Sequence, residues 1–160
     1  MSSVLLDTNL FILLIVGLAD KSYIAKHKRT QTFTEDDFDT LVKIIGKYSQ
    51  LIITSHCLSE VSNLITNREA DKKDLMQNKI KQTLKIVMER TKETHISKEH
   101  IFKNNLVFRL GVADTGIIEK SKRVSLLLTI DLDLYIELEK LGRNVYNFNH
   151  IRIYGWKTWK

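Results

Sequence analysis

Three observations predict an α/β fold in which helices cover both faces of a central parallel sheet of short strands. Short continuous apolar runs (SVLL at 3–6, LII at 51–53, VSLLL at 124–128 and VYNF at 145–148) read as strands buried on both sides. Segments with helical signals separate them, and that alternation favours parallel pairing. The composition is globular: 43% apolar, 28% charged, six glycines and no proline, so nothing marks a linker or a low-complexity tract.

Each element follows in order. Ser3–Leu6 is the first strand, and Thr8–Leu18, apolar nearly all round, is a buried helix. Residues 20–33 (DKSYIAKHKRTQTF) are polar and basic and read as a loop or an inserted arm. Thr34-Glu35-Asp36-Asp37 is a helix start, with the helix running to about Tyr48. Leu51-Ile52-Ile53 is the second strand and Ser55 to about Thr66 a helix. Asp71 to about Thr94 reads as one long helix with Met76, Ile80, Leu84, Val87 and Met88 on its apolar face. Ser97–Asn104 and Leu110–Lys120 are further helices. Val124–Leu128 is the third strand, Leu132–Leu141 a helix ended by Gly142, and Val145–Phe148 the fourth strand.

Size and composition bound the function. At 160 residues the chain fits a single domain, 1–160, large enough for a real core. A single cysteine, Cys57, excludes an intrachain disulfide and argues against a cysteine-based zinc site. The longest apolar run, Leu10–Ala19, is too short to span a bilayer as a helix, and Asp7 precedes it rather than Lys or Arg. A cytoplasmic location with no membrane partner is the expectation. The net charge of +6 lies entirely in the second half: residues 1–80 carry 10 basic and 10 acidic side chains, residues 81–160 carry 15 and 9. A basic surface attracts polyanions, nucleic acid above all, although colloidal solubility alone would also explain it.

Against this background the placement of four carboxylates is informative. Asp7 follows the first strand and Asp131 the third, each beside a hydroxyl (Thr8, Thr129) where a strand turns into a helix. Sites of parallel sheets gather at such carboxyl ends, although an N-cap role would also account for either aspartate. Glu60 borders the apolar stripe of its helix, three residues after Cys57 and four before Leu64. Asp114 lies on an apolar face, at i+4 from Leu110 and i−4 from Ile118, unless the helix starts at Asp114 itself, since Gly111 is a weak helix former. Four anions converging on one small volume cannot all stay ionised without a counterion. A hard dication, Mg²⁺ or Mn²⁺, suits carboxylate and water oxygens.

These residues resemble the PIN-domain nucleases: VLLDTN near the start, Glu60 in ITSHCLSEV after the second strand, Asp114 in LGVADTGII, and LLLTID before a final helix and strand. The resemblance spans about Val4 to Phe148. Chain size and motif order are similar to the virulence-associated-protein-C-type toxins. It implies a PIN-like three-layer fold and Mg²⁺- or Mn²⁺-dependent cleavage of RNA. Asp7, Glu60, Asp114 and Asp131 match the catalytic, metal-binding acids, Thr8, Asn9 and Thr129 the polar residues that brace them, and Asp133 a possible extra. A toxin also implies an antitoxin partner and a homodimer. Residues 20–33 are longer than the compact toxins need, and the tail 149–160 has no counterpart in them. A PIN-domain RNA-processing nuclease outside a toxin module and a non-catalytic PIN-like scaffold are the alternatives.

Other residues carry weaker signals. Arg109, Lys120, Lys122 and Arg123 flank the Asp114 helix and are candidate RNA contacts, as is the cluster Lys26-His27-Lys28-Arg29; a solvated face explains both equally simply. Tyr154, Trp156 and Trp159 interleave with Arg152, Lys157 and Lys160, a pattern that suits base stacking or simple closure over the core. A haloacid-dehalogenase-like phosphatase would need Asp where Asn9 stands, and a receiver domain would need a Lys at the end of VSLLLTID.

Overall fold

The computed structural model of the chain describes residues 1–66 and 74–155. They contain one sheet of five strands: β1 (Ser3–Leu6), β2 (Gln50–Thr54), β3 (Lys92–Thr94), β4 (Leu126–Thr129) and β5 (Val145–Asn147). The spatial order is β3-β2-β1-β4-β5 and every pairing is parallel. In register, Val4 of the central strand stands between Leu51 and Leu126, and Thr129 faces Asn147. All of β1 and β4 is buried, as continuous apolar strands covered on both faces require. The expected α/β architecture is therefore present, with helices flanking an all-parallel sheet.

The helices are α1 (Thr8–Ala19), α2 (Glu35–Ile45), α3 (Ser55–Ile65), α4 (Leu75–Arg90), α5 (Lys98–Lys103), α6 (Val107–Leu110), α7 (Val112–Ser121), α8 (Leu132–Lys140) and α9 (Phe148–Tyr154). Side-chain oxygens start many of them: Asp7 accepts from Leu10 N–H, Asp131 from Leu134 N–H, and Thr34 and Asp37 form a reciprocal capping box. α1 is buried on nearly every side and packs against α2, α3 and α4. Gly17 makes the contact with α2 possible, because a Cβ there would lie only 2.2 Å from a ring carbon of Phe38. No helix among the described residues is long and apolar enough to cross a membrane.

The structure differs from the sequence reading in several places. The long helix expected to Thr94 ends at Arg90, and Lys92–Thr94 instead pairs with β2 as an edge strand. Its charged sequence KET suits an exposed edge, where no apolar run is needed. The expected start of that helix at 71–73 lies outside the described residues. The helix expected over Leu110–Lys120 is two helices, α6 and α7, broken at Gly111, whose φ of 86° and ψ of 175° only glycine adopts readily. Asp114 thus lies in the first turn of α7, while Leu110 belongs to the preceding element. The third strand begins two residues later and ends one residue later than expected, and Phe148 opens α9, which takes up the tail as far as Tyr154. Trp156, Lys157, Trp159 and Lys160 lie outside the described residues.

Residues 20–33 are a packed connection rather than a free arm. Ile24, His27, Thr30 and Phe33 are buried, and Thr30 Oγ1 donates to the Ile24 carbonyl at 2.8 Å. His27 Nδ1 accepts from Arg29 N–H at 3.2 Å, which leaves the proton on Nε2 to donate to the Ile65 carbonyl at 2.9 Å. Lys26, Lys28 and Arg29 point outward and are exposed.

Candidate functional site

The carboxyl ends of β1 and β4 lie side by side at the middle of the sheet, and the chain leaves both through a capping aspartate. That pairing sets Asp7 and Asp131 next to one another. Asp7 is buried and fully engaged. Its Oδ1 accepts from Leu10 N–H at 2.9 Å, and its Oδ2 accepts from Thr129 Oγ1 at 2.6 Å and Ile130 N–H at 2.8 Å. The same Thr129 oxygen accepts from Asp131 N–H at 2.9 Å, so one hydroxyl positions both acids. Asp131 is exposed and spends Oδ1 on the cap of α8, Leu134 N–H, at 2.9 Å.

Two helices complete the ring. α3 presents Glu60, exposed on the rim, where Thr8 Oγ1 donates to its Oε2 at 2.7 Å. α7 presents Asp114 from its first turn, half-buried, and no hydrogen-bond donor among the described residues reaches it. Asp7, Glu60, Asp114 and Asp131 line one cavity of about 170 Å³ together with Thr8, Asn9 and the segment Leu110–Ala113. No Lys, Arg or His is among its lining residues.

The electrostatics follow from that lining. Burial raises the Asp7 carboxyl above the usual carboxylate range against the pull of its three donors, and the Asp131 charge adds to the rise. Asp114 is pushed up to about 7, first by burial and then by the charges of Asp131, Asp7 and Glu60. An acid with no donor, facing three others, is destabilised as an anion until positive charge arrives.

The donor set fits a hard dication. A cavity of about 170 Å³ has room for an ion with several waters, each with a share of roughly 30 Å³. Among the described residues no group of three or more His, Cys, Asp or Glu side chains is already placed to hold a metal ion, so the four acids line the cavity without forming a ready-made ligand set. A Mg²⁺ ion, which keeps several waters and takes only one or two carboxylates directly, does not require such a set. Asp7, Glu60, Asp114 and Asp131 are the residues that would hold the ion.

The remaining predicted residues are placed unevenly. Thr8 and Thr129 brace acids, whereas Asn9 lines the cavity without a hydrogen bond to any of them; the donor to Asp7 that Asn9 does not supply is the Ile130 N–H. Asp133 is exposed and does not line the cavity. Arg109 is tied to Glu137 at 2.8 Å and Lys122 to Glu119 at 2.7 Å, which offsets their charge, while Lys120 and Arg123 have no acidic partner among the described residues. Cys57 is buried beside the site, and burial pushes its thiol up to about 12, so no thiolate forms near neutral pH. Sequence reasoning missed the backbone segment Gly111–Ala113 as a wall of the cavity; Gly111 was the available signal. Scanned against models of known families the chain matches none, and no curated protein matches it in sequence.

Proposed function

We propose that this chain is a Mg²⁺- or Mn²⁺-dependent endoribonuclease that hydrolyses RNA phosphodiester bonds at the cavity of Asp7, Glu60, Asp114 and Asp131. One observation carries the reading: four carboxylates from four separate elements line one small cavity with no cation among its side chains. Structural carboxylates are ordinarily paired or solvated, and a cluster of this kind costs stability unless it serves a charged ligand.

A bound dication would supply an activated water and positive charge against the phosphate and the leaving oxygen. The chain's own residues do the positioning. Thr129 fixes Asp7 and the backbone of Asp131 at once. Thr8 tethers one oxygen of Glu60 and leaves the other to orient a water. Asp114, with no donor of its own, contributes both oxygens. RNA as substrate rests on the PIN-domain resemblance and on the net charge of +6. Chain size and motif order further favour the toxin of a toxin–antitoxin module, with an antitoxin and a second copy of the chain as partners. The presence of all four acids argues against a non-catalytic scaffold.

The test is cleavage of unstructured RNA with Mg²⁺, with EDTA, and by Asp7→Asn and Asp114→Asn. Cleavage should stop in EDTA and fall by more than about 100-fold in each variant, beyond what loss of an outer-shell group costs. Cleavage that survives EDTA or both substitutions contradicts the mechanism. Growth arrest on expression, absent with Asp7→Asn, is expected of a toxin; harmless expression of a cleaving enzyme rules the toxin role out and leaves the nuclease.

A further inference from the structure

A second cavity, of about 460 Å³, lies between the β3–α5 connection and the C-terminal half of α7, and its chemistry is the reverse of the first. His95, His100, Lys120, Lys122 and Arg123 line it, and its single acid, Glu119, is already bound by Lys122 at 2.7 Å and by the Asn104 amide at 3.1 Å. The surplus positive charge is therefore that of Lys120 and Arg123. Burial lowers the Lys120 amine from its ordinary value, and repulsion from Lys92 and Arg123 lowers it further. The C-terminus of α7 would attract one cation, but it does not account for Lys120 standing close enough to both Lys92 and Arg123 to be repelled by each.

This groove adjoins the acidic cavity through two elements. Along α7, Lys120 stands six residues past Asp114, about 9 Å along the axis and a third of a turn round it. Along α3, His56 sits one turn before Glu60 on the same face, packs its ring against His95 at 6.3 Å between centroids, and lies next to Gly116 of α7.

We infer that this groove seats the phosphodiester backbone of the single-stranded RNA cut at the acidic cavity, with Lys120 and Arg123 as phosphate contacts and Lys92, on the neighbouring edge strand β3, as a third. The inference rests on the nuclease reading for the identity of the strand. The groove fixes substrate register by charge and carries no base recognition, so affinity is steeply salt-dependent and tolerant of sequence.

The test is binding of a short fluorescein-labelled oligouridylate to the full chain in EDTA, across a series of salt concentrations. Lys120→Gln/Arg123→Gln should weaken binding by about 10-fold or more and reduce the slope of log K against log salt by about 1.4, the share of two phosphate contacts on a single strand. Lys43→Gln/Lys81→Gln, with the same loss of charge elsewhere, should change the slope little. Should the double variant unfold, Lys92→Gln, altered at an exposed side chain, is expected to reduce the slope by about 0.7. An unchanged slope in the folded groove variants overturns the inference, and so does equal competition by polyglutamate, which would make an acidic protein the occupant. EDTA removes the cleavage step, so failure here leaves the catalytic reading standing, whereas RNA that binds in the groove and is never cut defeats the catalytic reading alone.

Discussion

Thr129 donates to one aspartate and accepts from the backbone of another, and its 2.6 Å bond to Asp7 is a charge-assisted one. Thr129→Val keeps the shape of the side chain and removes that donor from a buried carboxylate. It should cost about 2 kcal/mol, or about 4–8 °C in Tm, and lower RNA cleavage by about 10–100-fold. Thermal unfolding and a cleavage time course check the two halves separately; an unchanged Tm would mean that Asp7 does not rely on the hydroxyl. Asp114 gives the pH dependence. Its carboxyl titrates at about 7 in the folded chain against 3.8 for an ordinary aspartate, so the folded state binds the proton more tightly. The stabilising contribution is complete below about pH 3.8 and is lost as pH rises towards 7. Metal-free stability should fall across that window by more in the native sequence than in Asp114→Asn, as denaturant melts at several pH values would record. Asp7 and Asp131 were legible because strand-end carboxylates are few. The idle Asn9 was not, since whether a side chain reaches its neighbour depends on backbone positions that no spacing encodes.

The elements divide along the same line. β1, β4 and α1 were legible because their burial on all sides leaves continuous apolar sequence. β3 was not, because an exposed edge of the composition KET carries no hydrophobic period and only its partner β2 makes it a strand. The break between α6 and α7 was half legible: Gly111 weakened the helix on paper, but its positive φ, which swings α7 so that Asp114 faces the cavity, needed the fold. Close packing between helices offers a sharper test. Gly17→Ala would gain about 1 kcal/mol in helix propensity, yet its Cβ would stand 2.2–2.7 Å from three carbons of the Phe38 ring. The clash outweighs the propensity, and the variant should be destabilised by about 1–3 kcal/mol net, a fall of several degrees in Tm. A Tm equal to or above that of the native chain would show that α1 and α2 do not approach as described.

At the scale of the whole molecule, charge is sorted rather than mixed. A net +6 chain concentrates four acids in one cavity lined by no cation, and gathers unpaired cations along the groove beside it. The uneven charge of the two halves was visible in the sequence, but the adjacency of the two regions was not, because α3 and α7 bring together residues more than fifty positions apart. The cavity gathers anions at a cost in self-repulsion, and this is what a dication would relieve. The most direct measurement is Mn²⁺ binding to the full chain, followed by electron paramagnetic resonance of the free ion and by Tm. Saturable binding is expected, weakening as pH falls below 7, raising Tm by about 5–10 °C at a hundredfold excess over Kd, and lost in Asp114→Asn. Binding that is absent, or that persists undiminished in Asp114→Asn and Asp7→Asn, would contradict the claim that these four carboxylates form a metal site.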